Sequence, residues 1–175
     1  MSDDRTTAYA EALFAVARAE GPLAEVEDEL FRFARLLESN DDLRTTLTDA
    51  SLPVSRRQQI VEDLLGGRAD STTTALVSMV VGTGRSRDLP AIIDELVKLS
   101  AAEGNREVAE VRSAVELTDD QKQRLAAALE AKTGKKVELK VIIDPTMLGG
   151  LVAQVGDTVI DGSVKSRLQQ LKTAF

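Results

Sequence analysis

Apolar positions in the first hundred residues recur at the spacing of helices. The stretch "TTAYAEALFAVARAE" ends at Gly21 and Pro22, a stop followed by a new start. Leu23, Val26, Leu30, Phe33 and Leu37 then form a stripe three to four residues apart. A short segment around Leu43 and Leu47 follows. Ser55-Arg56-Arg57-Gln58 has the form of a capping box, and Ile60, Val61, Leu64 and Leu65 run from it to Gly66-Gly67. "STTTALVSMVV" and "LPAIIDELVKLSAAE" complete six predicted helices before Gly104.

Past Asn105 the period changes. Ala109, Val111 and Val115 alternate weakly, and Thr118-Asp119-Asp120-Gln121 is a second capping box, opening a helix through Leu125 and Leu129 to Gly134. Val137, Leu139, Val141 and Ile143 alternate cleanly with polar residues, as a half-buried strand does. Leu151, Ala153 and Val155 continue that period, residues 158–160 mirror it, and Val164, Leu168 and Leu171 return to a helical stripe. The pattern predicts an α+β protein, mainly α: a six-helix bundle over residues 1–104, then a small βαβββα domain over 105–175.

Two of the predicted helices carry more apolar surface than a one-sided helix needs. In the first, Tyr9, Ala12, Leu13 and Val16 form one stripe, and Ala10, Phe14 and Ala17 a second, roughly 100–120° round the axis. In the fifth, Leu76, Val77, Met79, Val80 and Val81 leave little polar surface. Such a helix is either central in its bundle or shared with a partner. On the second reading Tyr9, Ala12, Leu13, Val16, Leu76, Met79 and Val80 line a groove for an amphipathic helix from another chain.

Charge and composition narrow the chemistry. Residues 1–104 carry 11 Lys+Arg against 19 Asp+Glu (−8), and residues 105–175 carry 11 against 10 (+1). The acidic first half disfavours a phosphate backbone as partner. The chain has no His and no Cys, which removes imidazole bases, thiolate nucleophiles and thiolate or imidazole zinc sites. No apolar run approaches membrane-spanning length, and the acidic start "MSDDRTTAYA" is unlike a signal or transit peptide. These features predict a cytoplasmic protein without cofactor or metal and remove the commonest catalytic groups, leaving carboxylates, Lys or Ser open to an enzyme.

Glycines and acids near the end test that expectation. Gly149, Gly150, Gly156 and Gly162 lack both the dinucleotide-loop and the P-loop spacing. Gly156 with Asp157 suits a hairpin turn, Gly149-Gly150 a turn or bulge entering it, and Gly162 the entry to the last helix, capped by Ser163. "GTGRSR" at 82–87 reads as a helix stop, and Gly134-Lys135-Lys136 as a helix C-cap rather than a basic patch. Asp144, Asp157 and Asp161 read as turn residues rather than metal ligands. An RNA-binding module is the alternative reading of the second domain, yet after residue 104 Phe175 is the only aromatic available for stacking.

Residues 144–171, "DPTMLGGLVAQVGDTVIDGSVKSRLQQL", closely resemble the C-terminal signature of the δ subunits of bacterial F-type ATP synthases, the oligomycin-sensitivity-conferring protein family. "YAEALFAVA" and "GRSRDLPAIIDEL" resemble that family's first-helix and sixth-helix motifs. Thr7-Ala8 stand where the family often has a basic residue before the Tyr, and Met147 replaces the usual Leu. The resemblance implies a non-catalytic stator subunit at the cytoplasmic face of the bacterial plasma membrane. In that role helices one and five would hold the N-terminal helix of an α subunit, and the C-terminal domain would bind the b subunits. No nucleic acid would take part, and contact with the membrane would be indirect, through b.

Overall fold

The computed structural model describes residues 2–156 and 158–162. The chain separates into two compact units, Met1–Ser100 and Ala101–Phe175. The protein is mainly helical with one small mixed sheet: seven helices and four strands among the described residues.

Six helices precede the first strand: α1 (Ser2–Glu20), α2 (Leu23–Ser39), α3 (Asp41–Thr48), α4 (Val54–Leu65), α5 (Ser71–Gly82) and α6 (Leu89–Glu103). Local chemistry sets several of their ends. Asn40 caps α3 by accepting from the Leu43 amide at 2.9 Å, and Asp70 caps α5 by accepting from Thr72 at 2.7 Å. The box predicted at Ser55 is not used. Helix α4 starts at Val54 behind Pro53, whose fixed φ of −54° already suits a helix entry. Gln58 is thereby released, and its Nε2 donates to the Ser78 carbonyl of α5 at 3.1 Å.

The core of this unit takes one face from each helix. Leu13, Val26, Leu30, Leu37, Leu47, Val61, Val77, Val80, Leu89, Ile92, Ile93 and Leu96 are all buried. Each such side chain stabilises the fold by roughly 1.5–3 kcal/mol relative to exposure. Glu27 is buried among them and accepts from Ser100 Oγ at 2.5 Å, which keeps one of its oxygens hydrogen-bonded inside the core.

In the second unit β1 (Glu107–Ser113), α7 (Asp119–Thr133) and β2 (Val137–Ile143) form a parallel crossover, and β3 (Leu151–Val155) and β4 (Thr158–Asp161) add antiparallel, in the order β2-β1-β3-β4. Alternation sends Ala109, Val111, Val137, Ala153 and Val155 to one face, where Leu129 and Leu125 of α7 pack on them. The Thr118–Gln121 box forms as predicted, and Gly134 closes α7 at φ +71°.

Two details of the second unit depart from the periodicity. Val115 lies beyond β1 and is 67% exposed, because the strand ends at Ser113. Lys140, on the nominally polar face of β2, is only 3% exposed; its Nζ sits 2.9 Å from Glu138, which also meets Arg106 at 3.3 Å. The pairing offsets the cost of burying the ammonium. The helix predicted over Val164, Leu168 and Leu171, with its cap Ser163, lies outside the described residues.

Candidate partner-binding surface

Helices α1 and α5 pack against each other within the first unit. On α1 the core face is Ala10, Leu13 and Ala17, spaced i, i+3, i+7 and drawn from both predicted stripes. Tyr9 and Val16 flank it half-buried, and Ala12 is exposed. With Ala8, Ala15 and Ala19, Ala12 forms an exposed ridge of methyl groups along the outer side of α1. On α5, Thr73, Leu76, Val77, Val80 and Val81 are buried, while Ser71, Ala75 and Met79 open outward at four-residue spacing.

The predicted groove residues therefore divide. Leu13, Leu76 and Val80 are no more than 3% exposed and belong to the unit's own core. For these three the central reading of an over-apolar helix applies, because their neighbours in the same chain already cover them. Tyr9, Val16, Ala12 and Met79 remain accessible, and Met79 at 43% is the only large apolar side chain on α5 that is exposed.

Beside Met79 runs a cleft of about 770 Å³ between α4 and α5. Its wall is made of small residues, Gly66, Gly67, Ala69, Ser71, Ala75 and Ser78, with Gln58 and Glu62 on the α4 side. The small side chains on the α5 side of this wall let another backbone approach closely, and Met79 is a flexible apolar anchor at its edge. A β-carbon at Gly82 would lie 2.6 Å from Gln58 Nε2, so a side chain there would shift the amide that donates to Ser78.

The loop after α5 supplies residues that periodicity did not single out. Arg85 lies over the Tyr9 ring, 4.7 Å from its centroid, and pairs with Asp88 at 3.1 Å. The guanidinium thus ties the start of α6 to α1 and fixes the half-buried tyrosine. Tyr9 is the chain's one tyrosine, and with few aromatics elsewhere it was the available signal for such a contact.

At the other end of the chain, Gly149, Gly150 and Gly156 all have positive φ, and Gly156 opens the two-residue link between β3 and β4. Its neighbour Asp157 lies outside the described residues. Gly162 donates its amide to the Leu151 carbonyl at 2.9 Å. Asp144 Oδ1 accepts from the amide of Thr146 at 2.9 Å and from its hydroxyl at 2.5 Å, and these bonds hold the carboxyl below its ordinary 3.8. Asp49 is lowered in the same way by the hydroxyl and amide of Ser51. Both carboxylates are committed to their own turns. Lys135 of the predicted C-cap pairs with Glu107 at 3.3 Å.

The family model described as ATP synthase delta (OSCP) subunit matches residues 6–175. A protein named ATP synthase subunit delta from Streptomyces avermitilis is 47% identical over 156 residues, covering 89% of this chain and 57% of the relative. Another of the same name from Nocardia farcinica is 43% identical over 162 residues, covering 93% and 60%. The chain thus spans less than two thirds of the length of these curated relatives. Among solved structures, a chain of the Toxoplasma gondii mitochondrial ATP synthase hexamer shares the fold at TM-score 0.57 and 21% identity, covering 97% of this chain and 96% of that one. A chain of the Polytomella F-ATP synthase in rotary substate 2C aligns at TM-score 0.51 and 27% identity, covering 57% and 88%.

Proposed function

The chain belongs to the ATP synthase delta (OSCP) subunit family, and on that premise we propose that it is a non-catalytic subunit of the peripheral stalk. In this reading it joins the α3β3 catalytic head to the membrane-anchored b subunits and keeps the head from turning with the rotor. Proton-driven torque is then converted to ATP synthesis at sites on other subunits. The observation that carries the proposal is the family match across residues 6–175.

Residues 1–104 are assigned to the head and 105–175 to the b subunits. The α-subunit N-terminal helix is assigned to the surface formed by α1 and α5. The accessible residues there, Tyr9, Ala12, Val16 and Met79, support the assignment, with Leu13, Leu76 and Val80 acting from beneath as the packed floor. The exposed alanines of α1 and the exposed Met79 of α5 are each suited to contact with an amphipathic helix. Attachment to the bacterial plasma membrane, on its cytoplasmic side, is assigned to the b partners. In keeping with that, no helix among the described residues is long and apolar enough to cross a membrane. Strands β1–β4 contain no Phe, Tyr or Trp, so nothing on the sheet favours RNA stacking.

The test is a tagged pull-down from detergent-solubilised native membranes with mass spectrometry of the recovered chains. Co-purification of α, β and b subunits in fixed ratio is expected. A folded, tagged protein that recovers none of them overturns the assignment.

A further inference from the structure

The loop "GTGRSR" has a second feature that the stator role leaves unused. Of its two arginines, Arg85 is committed to Tyr9 and Asp88. Arg87 is exposed and makes no ion pair or hydrogen bond among the described residues. Between them Ser86 is 2% exposed, and its Oγ is buried without a hydrogen-bond partner. A buried hydroxyl left in this state is unfavourable by about 1–3 kcal/mol unless something outside the chain satisfies it.

Ser86 and Arg87 line a cavity of about 220 Å³ together with Leu37 of α2, Arg44 and Thr48 of α3, and Pro90 in the first turn of α6. Among the described residues no carboxylate stands in this wall. Arg44 holds Asp41 with one terminal nitrogen and the Glu38 carbonyl with the other at 3.1 Å. With five N–H donors, a guanidinium keeps others after two such bonds. Thr48 has given its hydroxyl proton to the Arg44 carbonyl at 2.8 Å, so it is not a donor here. The remaining donors are the Arg87 guanidinium, the free N–H groups of Arg44 and the Ser86 hydroxyl. Asp41 pairs with Arg44 while no described residue pairs with Arg87, which leaves the described wall with a surplus positive charge. The start of α6 adds the partial positive charge of a helix N-terminus.

We infer that this cavity binds a phosphate-sized oxyanion, free phosphate or the end of a small phosphate monoester. A volume of about 220 Å³ suits a small ion better than a drug-sized ligand, whose sites occupy roughly 300–1,000 Å³. Guanidinium pairs bind tetrahedral oxyanions strongly because their N–H geometry matches two oxygens at once. At physiological salt charges farther than about 8 Å are largely screened, so most of the chain's net charge of −7 acts only weakly on this site.

The test is calorimetric titration and thermal denaturation of the full chain with inorganic phosphate and with methyl phosphate, ionic strength being held constant with chloride. Saturable one-site binding of inorganic phosphate is expected. Methyl phosphate binding as well points to a monoester end, and its failure points to the free ion. Arg87→Gln should weaken binding roughly tenfold or more. Ser86→Ala should also weaken binding while leaving the unliganded protein at least as thermostable as the parent, because it removes the unsatisfied hydroxyl. Arg68→Gln, an exposed arginine in the α4–α5 connection, should change nothing. Non-saturating heats, equal loss with Arg68→Gln, or unchanged affinity in both Arg87→Gln and Ser86→Ala would each overturn the inference.

Discussion

Helices α1 and α5 carry a similar surplus of apolar residues and dispose of it in opposite ways. Helix α5 buries Leu76, Val77, Val80 and Val81 across an arc of roughly 140° and leaves Met79 as its one large exposed apolar group. Among its described side chains, helix α1 buries Ala10, Leu13 and Ala17 and leaves four alanines outside. An alanine exposes little area and is the best helix former, so an alanine ridge is tolerated in water. A second face of valines would not be. Counting apolar residues alone overstates the surface left for a partner; side-chain size separates the two cases.

Substitutions that place a charge on each helix break this comparison most strongly. Val80→Asp and Leu13→Asp put an unpaired carboxylate into the core and should leave no folded protein by circular dichroism and thermal melting. Ala15→Asp, on the exposed ridge, should stay folded. The milder Leu13→Ala should cost about 2–5 kcal/mol in urea unfolding, the range for emptying a buried leucine site. A loss under 1 kcal/mol would mean that Leu13 is not part of the packed core.

Met79→Asp sharpens the comparison from the partner's side. Stability should stay within about 0.5 kcal/mol of the parent, as for an exposed position. Affinity for a synthetic α-subunit N-terminal peptide, measured by fluorescence anisotropy, should fall at least tenfold. Unchanged affinity would move the docking surface away from α5.

The smallest effects fall in the second unit, where end signals are local. Thr118→Ala removes the side-chain half of the capping box and should cost about 1 kcal/mol by denaturant titration. Thr146→Ala should raise the Asp144 pKa toward 3.8, read by NMR titration of the carboxyl. Because the folded pKa is depressed, the stabilisation from this turn is fully present above 3.8 and is lost as pH falls through the folded value. In Thr146→Ala that acid dependence should flatten.

The contrast between the two capping boxes shows how far local signals reach. Thr118 and Gln121 close a box in which the threonine hydroxyl accepts from the Gln121 amide and the Gln121 side chain accepts from the Thr118 amide. Ser55 and Gln58 have the same spacing, but Pro53 sets the entry to α4 two residues earlier, and Gln58 is taken up by the carbonyl of Ser78 on another helix. Strand alternation in β2 sorted Val137, Leu139 and Val141 onto the packed face, yet it carried no hint that Lys140 on the opposite face would be buried. In the candidate surface, Met79 and Ala12 were readable as apolar positions on over-apolar helices. That they are accessible and Leu76 and Leu13 are not depends on which neighbours pack against each helix.

From the residues alone came the six helices and their approximate limits, the change of period after Asn105, and the lack of imidazole and thiol chemistry. These follow from spacing, end signals and composition, which act within a few residues along the chain. Tertiary packing alone decided which stripe of α1 turns inward, that Arg85 stacks on Tyr9, and that Ser86 and Arg87 meet Arg44 around one cavity. Those outcomes join residues some 40 to 75 positions apart, and local periodicity carries no information about which distant faces come together.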